Sequence, residues 1–256
     1  SVRSMPPAAR PPSDELVPRP DVGRIFEATR RVRLGDVSPG GRLRLDAAAR
    51  YLQDLSADDT ADSGLEDAEA WVVRRTVIEV RTFPRYQEPL RLATWCSGIG
   101  SHFAERRISI QGERGGAVEA ATTWVHIDFD SGRPSRVPGS FAGLYGASTG
   151  GRKASARLSH ADPPEHPDLR APWPLRFTDF DVLDHVNNAA YWEAVEETLA
   201  DHRDLRAPLR AVVEHRSALE RGADAIRTVV REGDRLAVWL SDGSTVAASA
   251  TVDALR

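Results

Sequence analysis

Asp181 and His185 stand four residues apart in the stretch Leu175-Arg176-Phe177-Thr178-Asp179-Phe180-Asp181-Val182-Leu183-Asp184-His185-Val186-Asn187-Asn188-Ala189-Ala190-Tyr191-Trp192, which also holds the only two asparagines of the protein. A carboxylate and an imidazole at this spacing can move a proton to or from an attacking water, the work of general acid–base catalysis. From Asn188 onward Tyr191, Val195 and Leu199 recur every four residues while Glu193 and Glu197 fall on another face, so the spacing predicts a half-buried helix from Asn187-Asn188 to about Asp201. Asparagine is a preferred residue at a helix start because its side-chain oxygen accepts from an otherwise unpaired amide. The unpaired amides and aligned dipoles of that end favour a carboxylate, an oxyanion or a polarised carbonyl. Alone, Asp181 would read as a loop acid closing a turn, and His185 as a hydrogen-bonded core histidine. Together on the approach to a helix start they read as a candidate site.

The stretch resembles the Asp-x-x-x-His-Val-Asn-Asn-x-x-Tyr segment of hotdog-fold thioesterases, and is most similar to the plant-type acyl-acyl-carrier-protein thioesterases. Arg176, Asp179, Asp181, Val182, His185, Val186, Asn187, Asn188, Tyr191 and Glu197 match the family pattern. Leu92-Ala-Thr94-Trp95, the Arg106-Arg107 pair, Trp124-Val125 and Arg133-Pro-Ser-Arg136-Val-Pro138 resemble strand motifs of the family's N-terminal hotdog, so the likeness runs from about Phe26 to Ala250. It implies an α+β tandem (double) hotdog, each unit a long helix wrapped by an antiparallel sheet. It also implies hydrolysis of fatty acyl thioesters of acyl carrier protein or coenzyme A, with Asp181 and His185 as the catalytic carboxylate and histidine. Asn187 and Asn188 are expected as loop and cap, and Tyr191 as core. The chain departs from the pattern at Leu183, where the family has an amide donor, and at Ala218 and Leu219, where it has a Glu and a Cys. Glu196 or Glu197 on the helix, Glu220 and His215 are candidates to replace them. These departures keep two alternatives open, a non-hydrolytic acyl-thioester-binding hotdog and an enoyl-thioester hydratase or dehydratase.

Composition narrows the class. The 256 residues carry a formal net charge of -4, which gives no overall basic field for nucleic acid. One cysteine, Cys96, excludes an intrachain disulfide and a multi-cysteine metal cluster, and neither cofactor nor metal is expected. His160, Asp162, Glu165 and His166 lie in a proline-broken segment and read as solvated loop. Gly146-Ala-Ser148-Thr-Gly150 matches a nucleophile pattern without the strand and helix such a serine needs. No apolar run reaches the roughly 18 residues of a membrane span, so a cytoplasmic protein is expected.

Along the chain, Ser1 to Gly23 reads as a disordered leader rich in proline, 24–140 as the first hotdog, 141–174 as an interdomain linker of Gly, Ser, Ala and Pro, and 175–256 as the second. In the first unit a strand at 25–34 precedes a helix carrying Leu45, Ala48, Leu52 and Leu55, followed by extended runs at 70–80, 90–96, 104–111 and 118–129. Asp58, Asp59, Asp62, Glu66 and Asp67 read as a solvated acidic face. In the second unit strand and loop at 175–185 and a helix precede strands near 211–219, 225–231, 236–241 and 245–252. Sliding the halves by 143 residues puts Arg33 on Arg176, Asp36 on Asp179, Ser38 on Asp181 and Arg42 on His185. Only the second unit then carries the acid and histidine, and the first supplies the acyl cavity and the pseudo-dimer interface. Two units in one chain satisfy the minimal dimer, so a monomer or a homodimer fits. Arg106 and Arg107, or Arg203 and Arg206, are expected to meet an acidic carrier protein.

Overall fold

The computed structural model describes residues 16–65 and 71–255. Its elements run β1 (Ile25–Arg31), α1 (Leu45–Ser63), β2 (Trp71–Thr82), β3 (Pro89–Ile99), β4 (Phe103–Gly112), β5 (Ala117–His126), α2 (Gly139–Tyr145), β6 (Leu169–Pro172), α3 (Tyr191–Asp201), β7 (Leu209–His215), β8 (Ala225–Glu232), β9 (Arg235–Asp242) and β10 (Thr245–Ala254). The strands form one sheet in the order β1-β3-β4-β5-β2-β7-β10-β9-β8-β6. Read outward from the β2–β7 junction, where Val77 faces Val212, the two halves have the same order. This is the double hotdog architecture, with every strand pair antiparallel.

α1 forms because Leu45, Ala48, Leu52 and Leu55 make one apolar stripe, and it stops at Gly64, whose φ of +69° suits a residue without Cβ. That stripe joins Trp192, Val195 and Leu199 of α3 and Ile78, Ile108, Ala120 and Val213 of the sheet in one core spanning both halves. Full burial of each such aliphatic side chain is worth about 1.5–3 kcal/mol, so the shared core ties the halves together. Ala189, Tyr191, Trp192, Ala194, Val195 and Leu199, all buried, fall at the 143-residue offset on buried positions of α1.

The loop before each helix repeats in detail. Arg33 N–H donates to the Asp36 carboxylate at 3.1 Å, and Arg176 N–H to Asp179 at 2.7 Å. Ser38 N–H donates to Arg42 O at 2.8 Å, and Asp181 N–H to His185 O at 2.9 Å. Gly41 and Asp184 both take positive φ, +76° and +58°. The weak identities at this offset therefore mark a real structural repeat.

Several expectations need correction. The strand expected at 175–185 lies earlier, as β6, inside the proline-rich segment; β6 is a sheet edge, where Pro172 forfeits no ladder bond. Residues 177–179 instead form a short 3-10 turn. The segment 141–174 also carries most of α2, and His160 is not solvated: its Nδ1 lies 3.0 Å from Ser249 Oγ. Of the expected leader, residues 16–23 are described, and Val17 O accepts from Arg107 at 3.0 Å; residues 1–15 lie outside the described residues, as do Glu66 and Asp67 of the acidic face. Asp59 is buried rather than solvated. No described helix is long and apolar enough to cross a membrane.

Candidate active site

The 180–186 loop is held at both ends. Phe180 and Val186 pair in an isolated bridge, and Val186 N–H donates to Leu219 O at 3.0 Å. Within it Asp181 Oδ1 accepts from Leu183 N–H at 2.9 Å and from His185 N–H at 3.4 Å, an Asx turn that sets the carboxylate against the backbone of the histidine. Asp184 takes the left-handed conformation that closes the turn, and its carboxylate receives Arg221 Nε at 2.9 and 3.1 Å. The Arg221 guanidinium holds the Asp184 carboxyl below the usual carboxylate range. Arg221 also lies over the rings of Phe180, 4.7 Å, and Phe177, 5.7 Å. Asp179, buried, is spent on Arg176 and on closing the turn before the loop.

The structure thus brings Asp181 and His185 together on an exposed loop. Asn187 lies at its end, where Oδ1 accepts from Ala189 N–H at 2.8 Å and so caps a tighter turn over 188–190; the regular helix starts at Tyr191, one turn later than expected. Asn188 lines a small cavity between α1 and α3. Glu197 is exposed on α3. Glu196 is elsewhere: its carboxylate accepts from Leu45 N–H at 3.0 Å and pairs with Arg42 at 2.7 Å, tying α3 to the first residue of α1. His215 is buried edge-to-face on Tyr191, with ring centroids 4.9 Å apart; burial, with Arg74 nearby, pushes it down to about 4. The Tyr191 hydroxyl accepts from Leu219 N–H at 3.1 Å, and its burial raises its pKa. Ala218 and Glu220 are exposed, and the Glu220 backbone bridges to His185. No group of three metal-ligating side chains occurs among the described residues.

Val182, between the acid and the histidine, is fully exposed and lines a cavity of about 590 Å³. Its other walls come from the first half, including Gln53 and Thr60 of α1, Trp71, Trp124 and Phe141. One part of the lining is polar: Arg106 pairs with Asp59, which also accepts from the Tyr145 hydroxyl at 2.7 Å and from Arg24 Nε at 2.8 Å. A larger groove, about 1100 Å³, lies between residues 16–19 and strands of the first half, and no residue of the 175–192 stretch reaches it. Arg106 and Arg107 are buried, so the expectation that they meet a carrier is wrong: burial among β-strands gives them Asp59 and Glu119 as partners. Ser148 is buried with its hydroxyl 2.8 Å from the carbonyls of Cys96 and Tyr145, a packing role.

The Acyl-ACP thioesterase N-terminal domain matches residues 23–145, and the Acyl-ACP thioesterase C-terminal domain residues 164–242. The chain belongs to the acyl-ACP thioesterase family. As a family member it is a thioester hydrolase, and the binding-only and hydratase alternatives fall away. An uncharacterised protein of Mycobacterium tuberculosis is 33% identical over 208 residues, covering 81% of this chain and 83% of its own. The dodecanoyl-[acyl-carrier-protein] hydrolase of Cinnamomum camphora is 22% identical over 70% of this chain and 52% of its own. Among solved structures, the 12:0-ACP thioesterase of Umbellularia californica superimposes with a TM-score of 0.75 at 20% identity, covering 90% of this chain and 96% of the other. An acyl-ACP thioesterase of Bacteroides thetaiotaomicron gives 0.67 at 17%, covering 90% and 97%. In this fold the first half encloses the cavity and the loop of the second half adds Val182 at its rim.

Sequence reasoning missed Gln53. Its only signal was the 143-residue offset, which sets it on Glu196.

Proposed function

We propose that this thioesterase cleaves fatty acyl thioesters of acyl carrier protein at the Asp181–His185 loop, with the acyl chain in the cavity beneath Val182. The observation that carries the reading is that Val182, flanked by the two candidate groups, belongs to the wall of that cavity. An acyl chain buried there brings its carbonyl carbon to the rim, beside the N-terminal turn of α3, whose amides favour negative charge on the carbonyl oxygen.

Water oxygen adds to the carbonyl carbon while His185, oriented through the turn that Asp181 closes, takes the water proton. Collapse of the tetrahedral intermediate breaks the C–S bond, and the same proton passes to the leaving sulfur, giving a free fatty acid and the carrier thiol. Asp181 Oδ1 is committed to two amides, whereas Oδ2 has no partner among the described residues and is the oxygen available to water.

Arg203 and Arg206, both exposed, are offered as contacts for an acidic carrier. The reading places the protein in the cytoplasm, releasing chains from fatty acid biosynthesis. Rates of thiol release on matched acyl-carrier-protein and acyl-coenzyme A substrates test it. Higher kcat/KM on the carrier substrates, lowered by Arg203→Glu, is expected; equal or higher values on coenzyme A contradict the carrier assignment.

A further inference from the structure

The first half contains a filled copy of the proposed site. At its loop, Arg42 stands where His185 stands, and Leu45 N–H where Asn188 N–H stands. Between them sits the Glu196 carboxylate from α3, with Oε2 3.0 Å from Leu45 N and 3.2 Å from an Arg42 nitrogen, and Oε1 2.7 Å from the other. An oxygen at this place is therefore held by a helix-start amide and the cation at the loop's end, the arrangement that suits a polarised carbonyl.

In the second half the place is open. The residue of α1 equivalent to Glu196 is Gln53, which is half-buried and makes no side-chain hydrogen bond with the described residues. Nothing among them accepts from Asn188 N–H. Gln53 nevertheless lies in both relevant walls: it lines the 590 Å³ cavity with Val182, and the small cavity between the helices with Asn188 and Ala189. Trp124 shares both cavities and buries its indole N–H without a partner. These are donors around a gap, where the other half has donors around a carboxylate.

We propose that Gln53 is the first half's contribution to the active site: its carboxamide N–H binds the thioester carbonyl oxygen together with Asn188 N–H. This deepens the reading of Asp181 and His185 as the hydrolytic pair and rests on it. It also answers the departure at Leu183, since an amide donor lost from the loop is supplied across the interface by α1. A donor on α1 and an amide of the turn leading into α3 stand on opposite sides of the gap, where charge builds on the oxygen.

The test compares Gln53→Met, which keeps the volume and removes the donor, with Gln53→Glu, which recreates the filled site. Steady-state kinetics and the NMR titration of His185, identified by its loss in His185→Ala, are the readouts. Gln53→Met is expected to lower kcat on the order of 10²-fold with little change in KM. Gln53→Glu is expected to abolish turnover and to raise the His185 pKa by about one unit, as a carboxylate nearby favours the imidazolium. Wild-type kcat in Gln53→Met, or an unmoved His185 titration in Gln53→Glu, overturns the proposal. Full activity in His185→Ala with loss in Gln53→Met would remove His185 from the site and leave Gln53 in it. Loss in His185→Ala with full activity in Gln53→Met would overturn the proposal alone.

Discussion

Arg42 and His185 occupy the same position in two copies of one loop, 143 residues apart, each giving its carbonyl to the amide four residues before it, at 2.8 and 2.9 Å. One copy is bound across the interface by Glu196. The other stays exposed, with the Asp181 carboxylate set against the backbone N–H of its histidine. A single repeat thus serves as a fastening in one half and, in the proposed reading, as the reactive loop in the other.

The fastening has a measurable strength. Glu196→Ala leaves Arg42, about three-quarters buried, and Leu45 N–H without their acceptor. Removing one partner of a buried pair costs about 3–5 kcal/mol. Urea unfolding should show a loss toward the lower end of that range, because Arg42 retains some water, and the double variant Arg42→Met/Glu196→Leu should recover much of it.

Asp59 carries a heavier load. It accepts from Arg24, Arg106 and Tyr145 while nearly fully buried. Asp59→Ala strands the Arg106 guanidinium in the cavity wall and is expected to cost about 3–5 kcal/mol in urea unfolding. A loss below 1 kcal/mol would show that water replaces the carboxylate.

Acid should destabilise the fold through His215. Folded, it takes a proton near pH 4; unfolded, near 6.5. Between those values the unfolded chain holds the extra proton, so stability falls as pH falls from 6.5 to 4, by about 3 kcal/mol at 1.36 kcal/mol per pKa unit. His160, whose pKa burial also lowers, adds in the same direction. His215→Phe should flatten much of the decline between pH 6.5 and 4 in urea unfolding.

Cavity walls set chain length in the proposed reading. Thr60, half-buried on α1, lines the cavity. Thr60→Phe is expected to shift the substrate preference to shorter acyl chains, each buried methylene contributing about 0.8 kcal/mol to binding. The ratio of kcat/KM for long to short acyl chains should drop by an order of magnitude or more.

Legibility followed the range of the interactions. The loop and the helix after it could be read because Asp181, His185 and Asn187 work through amides two to four residues away. The repeat could be read because both loops fold on local rules. Asp59 could not: its partner Arg106 lies 47 residues on, and a run of acids looks like a solvated face until β4 covers it. β6 was hidden because an edge strand of four residues tolerates the proline that marks a linker. Glu196 and Gln53 were hidden most deeply, since their meaning lies in the packing of α1 against α3 across the two halves.

The central claim is that Asp181 and His185 form the hydrolytic site. Thiol release from an acyl-carrier-protein substrate, measured for wild type, Asp181→Ala and His185→Ala after each is shown to be folded, tests it most directly. A fall in kcat on the order of 10²- to 10⁴-fold in each variant is the predicted result. Activity within a few fold of wild type in either variant contradicts it.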